Sequence, residues 1–267
     1  MKISILLPTF KRAELLKLGL YSILLHKIKY DYEILVLNDG IHDDTEAVCK
    51  QFSNDLNIKY IFTGQRNTNG LLQSRVPGFA MNIGFKRATG DIFILSCPEI
   101  YHLNNAIDLI TDGVICKPKC MVVPSLLYFD LHNAMTAKMI HEFSRYNSPS
   151  TVDLNLLVGG HKNDGWNGHA IMPYCMGIER SAVFAVKGYA EDMTGYAGDD
   201  NDFCKRLQMI GLKYYIVDAK VIHLYHQGTG DGCPHWDNEK WVHNYNLFIN
   251  RKKSVVNQAD NWGNLDE

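Results

Sequence analysis

Several things are missing from this 267-residue chain, and each absence removes a class of protein. Apolar runs such as Ile3 to Leu7 fall far short of the roughly 20 residues that span a bilayer, which excludes a transmembrane helix. Charge of one sign is absent: 27 Lys+Arg stand against 29 Asp+Glu, a formal net charge of -2. No broad basic field therefore exists to hold nucleic acid through counterion release, and no nucleic-acid partner is expected. Met1 opens directly onto a strand-like run, without the basic head, apolar middle and small-residue cleavage site of a signal peptide. Seven scattered cysteines, an odd number in a long chain, fit a reduced intracellular protein better than a disulfide scaffold. What is present, 46% hydrophobic residues, is ample for a substantial core and excludes a disordered or collagenous chain. The expectation is a soluble, cytoplasmic, globular protein.

The first hundred residues alternate strand-like and helix-like patterns. Ile3 to Leu7, Glu33 to Leu37, Ile58 to Phe62 and Asp91 to Leu95 read as strands. Between them lie helical patterns from Glu14 to Leu25, from Asp43 through Phe52 and from about Arg75 to Ala88. Such alternation implies right-handed βαβ units and a mostly parallel sheet, with ligands at the carboxyl ends of the strands. The second half is less regular. Cys120 to Val123 reads as a strand, Pro124 to Asn133 as a strand or an extended loop, and Leu126 to Met139 shows no clear period. A helix is expected over Asp199 to Ile210, one or two strands over Tyr214 to Leu224, and a final amphipathic helix with a basic end over His235 to Lys252. Cys49, Cys116, Cys120 and Cys175 read as small buried hydrophobes.

Polar residues gather at three of the strand ends. After the first come Pro8, Thr9, Phe10, Lys11 and Arg12; after the second, Asn38, Asp39 and Gly40; after the fourth, Ser96, Cys97, Pro98 and Glu99. A nucleoside diphosphate needs a base acceptor, an aromatic or apolar wall and cationic or metal charge, and these sets supply each. Each also satisfies ordinary turn chemistry. Further on, Asp199, Asp200 and Asp202 crowd three carboxylates into four positions at a helix start. Crowding raises one pKa, which suits a general base, while the helix dipole makes an acidic cap an equal reading. His223 and His226, three apart near a strand end, suit a divalent cation or a structural role.

In their order and separation these segments resemble family 2-type glycosyltransferases. Ile5 to Arg12 is similar to the family's opening strand and Pro-Thr-Tyr-Asn-Arg turn, and Val36 to Gly40 to its Val-Asp-Asp-Gly-Ser stretch. Ala80 to Asp91 resembles its Arg-Asn-x-Gly helix and Gly-Asp/Glu turn, with Met81 where Arg is common. Gly195 to Leu207 looks like the Gly-x-Gly-Glu-Asp-x-Asp segment of galactosyltransferases and chondroitin polymerases. The resemblance covers about residues 1–230. It implies an α/β GT-A fold: one Rossmann-like mixed, mostly parallel sheet flanked by helices, with a smaller acceptor-side β region. The nucleotide half would span about 1–100 and the acceptor half about 101–230, followed by a C-terminal helical extension over 231–267.

The resemblance also implies roles. Pro8, Thr9, Phe10, Arg12, Asp39 and Cys97 would line the nucleotide site, with Asp39 reading the base. Glu99, His226 and His223 would hold Mn²⁺ or Mg²⁺ on the diphosphate. Asp200 would be the base of an inverting transfer, and Asp199 would orient acceptor hydroxyls. Trp166, in the loop from Gly159 to His169, would stack on a sugar or anchor its loop. One departure stands out: the family's Asp-x-Asp motif is here Cys97-Pro98-Glu99. The expected partners are a nucleotide-sugar, UDP-linked, and a glycan or lipid-linked acceptor. The basic helix end leaves open a peripheral contact with the inner membrane face. The rival readings are a non-catalytic nucleotide- or glycan-binding module with a decayed motif, and a sugar-1-phosphate nucleotidyltransferase. The second lacks its Gly-rich phosphate loop here. A zinc site from Cys204, Cys233, His235 and the two histidines matches no usual spacing.

Overall fold

The computed structural model describes residues 1–40, 42–64, 76–148, 152–157, 160–162, 173–193, 197–226, 239–257 and 261–264. Four strands of the first hundred residues, β1 (Lys2–Thr9), β2 (Asp31–Asn38), β3 (Ile58–Phe62) and β4 (Ile92–Ser96), pair in parallel in the order β3-β2-β1-β4. Their apolar residues run nearly without interruption because both faces are covered. Ile3, Ile5, Leu7, Ile34 and Val36 enter one core cluster, while Leu6, Leu35 and Leu37 enter the other. That split is the two-residue period of a strand.

Helices α1 (Ala13–Leu25) and α2 (Thr45–Phe52) cover the first face, and α3 (Gly78–Arg87) covers the second. α1 has no side-chain cap at Arg12. A cap contributes about 1 kcal/mol, whereas each of the five buried apolar side chains from Leu15 to Ile23 contributes about 1.5–3 kcal/mol, so packing sets this helix. Gly19 lets it lie against the next layer: a Cβ there would stand 2.7 Å from the Pro98 carbonyl oxygen. α2 begins later than its sequence suggests, because Asp43 stays outside the helix and accepts a hydrogen bond from the Thr45 amide at 3.0 Å.

The sheet continues past β4 with a change of direction. β8 (Cys175–Glu179) pairs antiparallel with β4, followed by β6 (Cys120–Phe129), β9 (Lys213–His223) and the short β5 (Ile100–His102), with β7 (Gly160–Lys162) paired to β6. The smaller β region expected on the acceptor side is thus an extension of the same sheet. α4 (Ala106–Cys116) and α5 (Ala134–Tyr146) pack on its first face, α6 (Arg180–Ala185) and α7 (Asp199–Met209) on its second.

Three open readings are resolved here, and the buried reading of Cys116 and Cys120 is corrected. The stretch after Pro124 is strand to Phe129, with a register irregularity between Pro124 and Leu126 that accommodates the missing amide. The apparently aperiodic stretch from Leu126 to Met139 splits into that strand and the first turns of α5. Residues 213–223 form one strand. Cys116 is exposed and Cys120 half-buried, whereas Cys49 and Cys175 are buried.

The last helix, α8 (Glu239–Asn250), ends two residues before the expected Lys252, and its first expected residues, including His235, lie outside the described residues. Its basic end is corrected too: Arg251, Lys252 and Lys253 follow the helix and do not form its last turn. Arg251 forks onto both Asp192 oxygens at 2.8 Å and also donates to Asp202. Asp202 is paired in addition with the fully buried Arg206 at 2.6 Å. Trp262 enters the second core cluster. Among the described residues no helix is long and apolar enough to cross a membrane.

Candidate active site

β1, β2 and β4 end side by side, as the register Thr9 to Asn38 and Leu6 to Leu95 requires. The Asp39 amide donates to the Thr9 carbonyl at 2.8 Å, holding the two turns together. The buried Asp39 carboxylate accepts from the Thr63 hydroxyl at 3.0 Å. Thr9 is also buried, and its hydroxyl has no hydrogen-bond partner among the described residues. Unpaired buried polar groups are uncommon in folded chains and mark places where a ligand completes the bonding. Pro8 and Phe10 are half-buried beside them. Phe10 and Arg12 border an open cleft of about 630 Å³ whose far wall includes Asn133, Thr136, Tyr225 and His226.

Glu99 is the centre of a charged cluster and only 2% exposed. Its Oε1 accepts from Arg12 Nη1 at 2.5 Å and lies 3.2 Å from His226 Nε2 and 3.4 Å from His223 Nε2. Burial alone would raise this carboxyl, but the guanidinium and the two imidazoles hold it well below the usual range. The Leu224 amide donates to the Glu99 carbonyl at 2.9 Å, which fixes the end of β9 against this turn.

The tautomers follow from the partners. Arg12 Nη2 lies 3.2 Å from His226 Nδ1 and can only donate, so His226 carries its proton on Nε2. His223 Nδ1 lies 3.1 Å from the Leu224 carbonyl and must donate to it. A neutral His223 therefore turns an Nε2 lone pair toward a carboxylate oxygen. A cation between these two acceptors would relieve their repulsion.

The residues fit a divalent cation. Ligand atoms of Glu99, His223 and His226 lie within 4.8 Å of one another, and the buried Glu99 Oε2 has no hydrogen-bond partner among the described residues. One Glu99 carboxylate oxygen and His223 Nε2, whose ring is anchored through Nδ1 on a backbone carbonyl, can ligate as they stand, and His226 joins them once its Nε2 proton is displaced and Arg12 turns away. Cys97 does not join it. Burial first, then the negative charges of Glu99 and Asp200, push its thiol well above the ordinary value, so it stays protonated.

Asp199 and Asp200 open α7 after two consecutive left-handed residues, Ala197 (φ 59) and Gly198 (φ 88). Asn244 Nδ2 donates to the Ala197 carbonyl at 2.8 Å and holds this bend. Burial and then the adjacent Asp200 push Asp199 well above the carboxylate range, despite amides donated by its own helix start and by Gly78. Burial raises Asp200 to about 6, opposed by a hydrogen bond from the Tyr189 hydroxyl at 3.0 Å. Of the two, Asp199 is the one pushed further toward its protonated form.

The fold gathers most of the expected residues around the carboxyl ends of the strands. Trp166 and the loop from Gly159 to His169, apart from residues 160–162, lie outside the described residues, as do Cys233 and His235. Cys204 belongs to the second core cluster, and burial pushes its thiol up to about 12. Sequence reasoning missed Thr63 on Asp39 and Tyr189 on Asp200. A hydroxyl just past the third strand was a readable signal for the first; the second gives none.

Two segments match known families. Residues 4–96 match glycosyl transferase family 2, and residues 171–227 match the N-terminal domain of galactosyltransferase. Chondroitin synthase of Escherichia coli is 24% identical over 249 residues, covering 84% of this chain and 34% of that protein. Hyaluronan synthase of Pasteurella multocida is 31% identical over 96 residues, 36% of this chain and 9% of that protein. The chain thus spans about a third of the first relative's length and a tenth of the second's. Among solved structures, GalNAc-T7 with UDP, GalNAc and Mn²⁺ aligns at a TM-score of 0.61, with 15% identity, over 93% of this chain and 48% of that one. S. aureus TarS 1-349 in complex with UDP-GlcNAc aligns at 0.57, with 15% identity, over 93% and 65%. The fold is that of GT-A glycosyltransferases, and the segment matches support a family 2 glycosyltransferase.

Proposed function

We propose that this chain transfers a sugar, with inversion, from a UDP-linked donor to a hydroxyl of a glycan or lipid-linked acceptor. The observation that carries the reading is Asp200: a carboxylate raised to about 6, close enough to the Cys97-Pro98-Glu99 turn to influence its thiol. A base titrating there is largely ionised at neutral pH yet basic enough to take a hydroxyl proton as the anomeric carbon is attacked. Asp199, kept neutral, can donate a hydrogen bond to an acceptor oxygen. Asp39 and Thr9 would hold the nucleoside, with Phe10 as a wall, Pro8 shaping the turn and Cys97 against the ribose. Arg12 would meet phosphate charge.

Glu99, His223 and His226 would hold Mn²⁺ or Mg²⁺, which when bound supplies positive charge to the leaving diphosphate. The two imidazoles favour Mn²⁺ over Mg²⁺. Trp166 remains the candidate for stacking on the acceptor sugar. Val242, Tyr245 and Ile249 are exposed on α8 ahead of Lys252 and Lys253, a set suited to an anionic membrane carrying a lipid-linked acceptor. Flotation with anionic but not neutral liposomes is the expected result.

The test of the main reading is release of nucleoside diphosphate from a panel of nucleotide sugars with Mn²⁺, by wild type and by Asp200→Asn. Release that depends on Asp200 supports it; equal release by a folded variant removes the base assignment. Cys97 in place of the first motif carboxylate favours one rival, a binding module without catalysis. Calorimetric binding of UDP and Mn²⁺ without turnover of any donor would establish that rival.

A further inference from the structure

The tyrosine beneath the acidic helix start carries a hydroxyl that its packing does not need. Tyr189 is 2% exposed, and its ring stacks on Phe203 with centroids 4.2 Å apart. A phenylalanine would fill the same stack. The backbone at this position is clamped from three directions. Asn82 Oδ1 accepts from the Tyr189 amide at 2.7 Å, Asn82 Nδ2 donates to its carbonyl at 2.9 Å, and Asn257 Nδ2 donates to the same carbonyl at 2.6 Å. On the other side Gly78 leaves the ring its room, since a Cβ there would approach Tyr189 Cβ to 2.9 Å. The hydroxyl so placed donates to Asp200 Oδ1 at 3.0 Å.

We propose that Tyr189 is the positioning residue for Asp200, its hydroxyl fixing one carboxylate oxygen so that the other faces the acceptor. This rests on Asp200 being the base. Among the described residues the titratable groups that face Asp200 are few. Asp199 adjoins it on α7, Cys204 lies one turn further along, and Cys97 approaches from the end of β4. Burial favours the uncharged form of all three. The basic residues of α3, Lys86 and Arg87, sit in its last turn, at the opposite end from Gly78. The phenol is therefore the polar group that steadies the anion, and its removal should make the carboxylate harder to ionise.

Tyr189→Phe in the full chain tests this, with the Asp200 carboxyl followed by ¹³C NMR and assigned through Asp200→Asn. The expected result is a midpoint raised by about one pH unit, with the acid limb of kcat moving equally and KM little changed. At pH 6 kcat should fall about fivefold. A purely structural role would leave the acid limb in place. Substitution of 3-fluorotyrosine at 189 keeps the stack and strengthens the donor, so its midpoint should move down; this variant decides the matter if Tyr189→Phe folds poorly. An unmoved midpoint in both variants overturns the proposal. A moved midpoint in a protein whose wild type turns over no donor would instead sink the reading of Asp200 as a base.

Discussion

Arg12 and Glu99, 87 residues apart in the chain, meet at 2.5 Å across the ends of β1 and β4. The guanidinium occupies one carboxylate oxygen of the cluster that suits a cation and also bonds His226. A positive charge there competes with a metal ion through Coulomb repulsion. Arg12→Ala should therefore bind Mn²⁺ about tenfold more tightly, measured by the loss of the free-ion electron paramagnetic resonance signal. Glu99→Gln should lose binding. A weaker ion in Arg12→Ala would show the arginine to support the site.

The pH profile follows from Asp200. Transfer should fall as pH drops through about 6, where the base takes up a proton. Asp200→Asn should cost about a hundredfold or more in kcat with the far-ultraviolet spectrum unchanged. Its effect on stability has the opposite sign. A carboxyl raised in the folded state stabilises only while protonated, so its contribution is present below the unfolded value near 3.8 and lost as pH rises through 6. The variant should be more stable than wild type by about 1–2 kcal/mol at pH 7.5, with the difference vanishing below pH 4. Urea unfolding at both pH values measures it.

Gly19 connects core packing to the site. A methyl group there meets the Pro98 carbonyl oxygen at 2.7 Å and that of Ile100 at 3.2 Å, both backbone atoms flanking Glu99. Gly19→Ala should cost about 1–3 kcal/mol in stability and weaken Mn²⁺ binding as Glu99 shifts. Equal affinity in the two proteins would show that the turn moves as a rigid unit.

Glu33 sets an acid limit. It is fully buried, and although burial opposes its charge, hydrogen bonds from Lys59, Thr89 and Ser4 hold it down to about 2. A depressed carboxyl contributes stability above its unfolded value near 4.5 and loses it as pH falls toward 2. Glu33→Gln should cost about 2 kcal/mol at pH 7 and much less at pH 2.5, again by urea unfolding. A constant cost across that range would assign the effect to packing.

The parallel half of the sheet was legible because each strand is a short apolar run followed by a helical period, a local signal. β6 hid behind Pro124, which normally argues against an interior strand, and β5 has too few residues to show a pattern. Asp39, Glu99 and Asp200 could be read because each follows or opens an element. Their pairings could not. Arg12 reaches Glu99, Thr63 reaches Asp39 and Tyr189 reaches Asp200 only through the folded geometry, over separations of 87, 24 and 11 residues.

The fastening of α7 by later parts of the chain gives biosynthesis an order. Arg251, Asn257 and Trp262 supply partners to Asp202, Tyr189 and the core, yet each leaves the ribosome some 50 to 80 residues after the segment it secures. The nucleotide-facing strands can pair while synthesis continues. The acidic helix start must wait for its last supports, so a nascent chain can align the ends of β1, β2 and β4 before Asp199 and Asp200 are fastened in place.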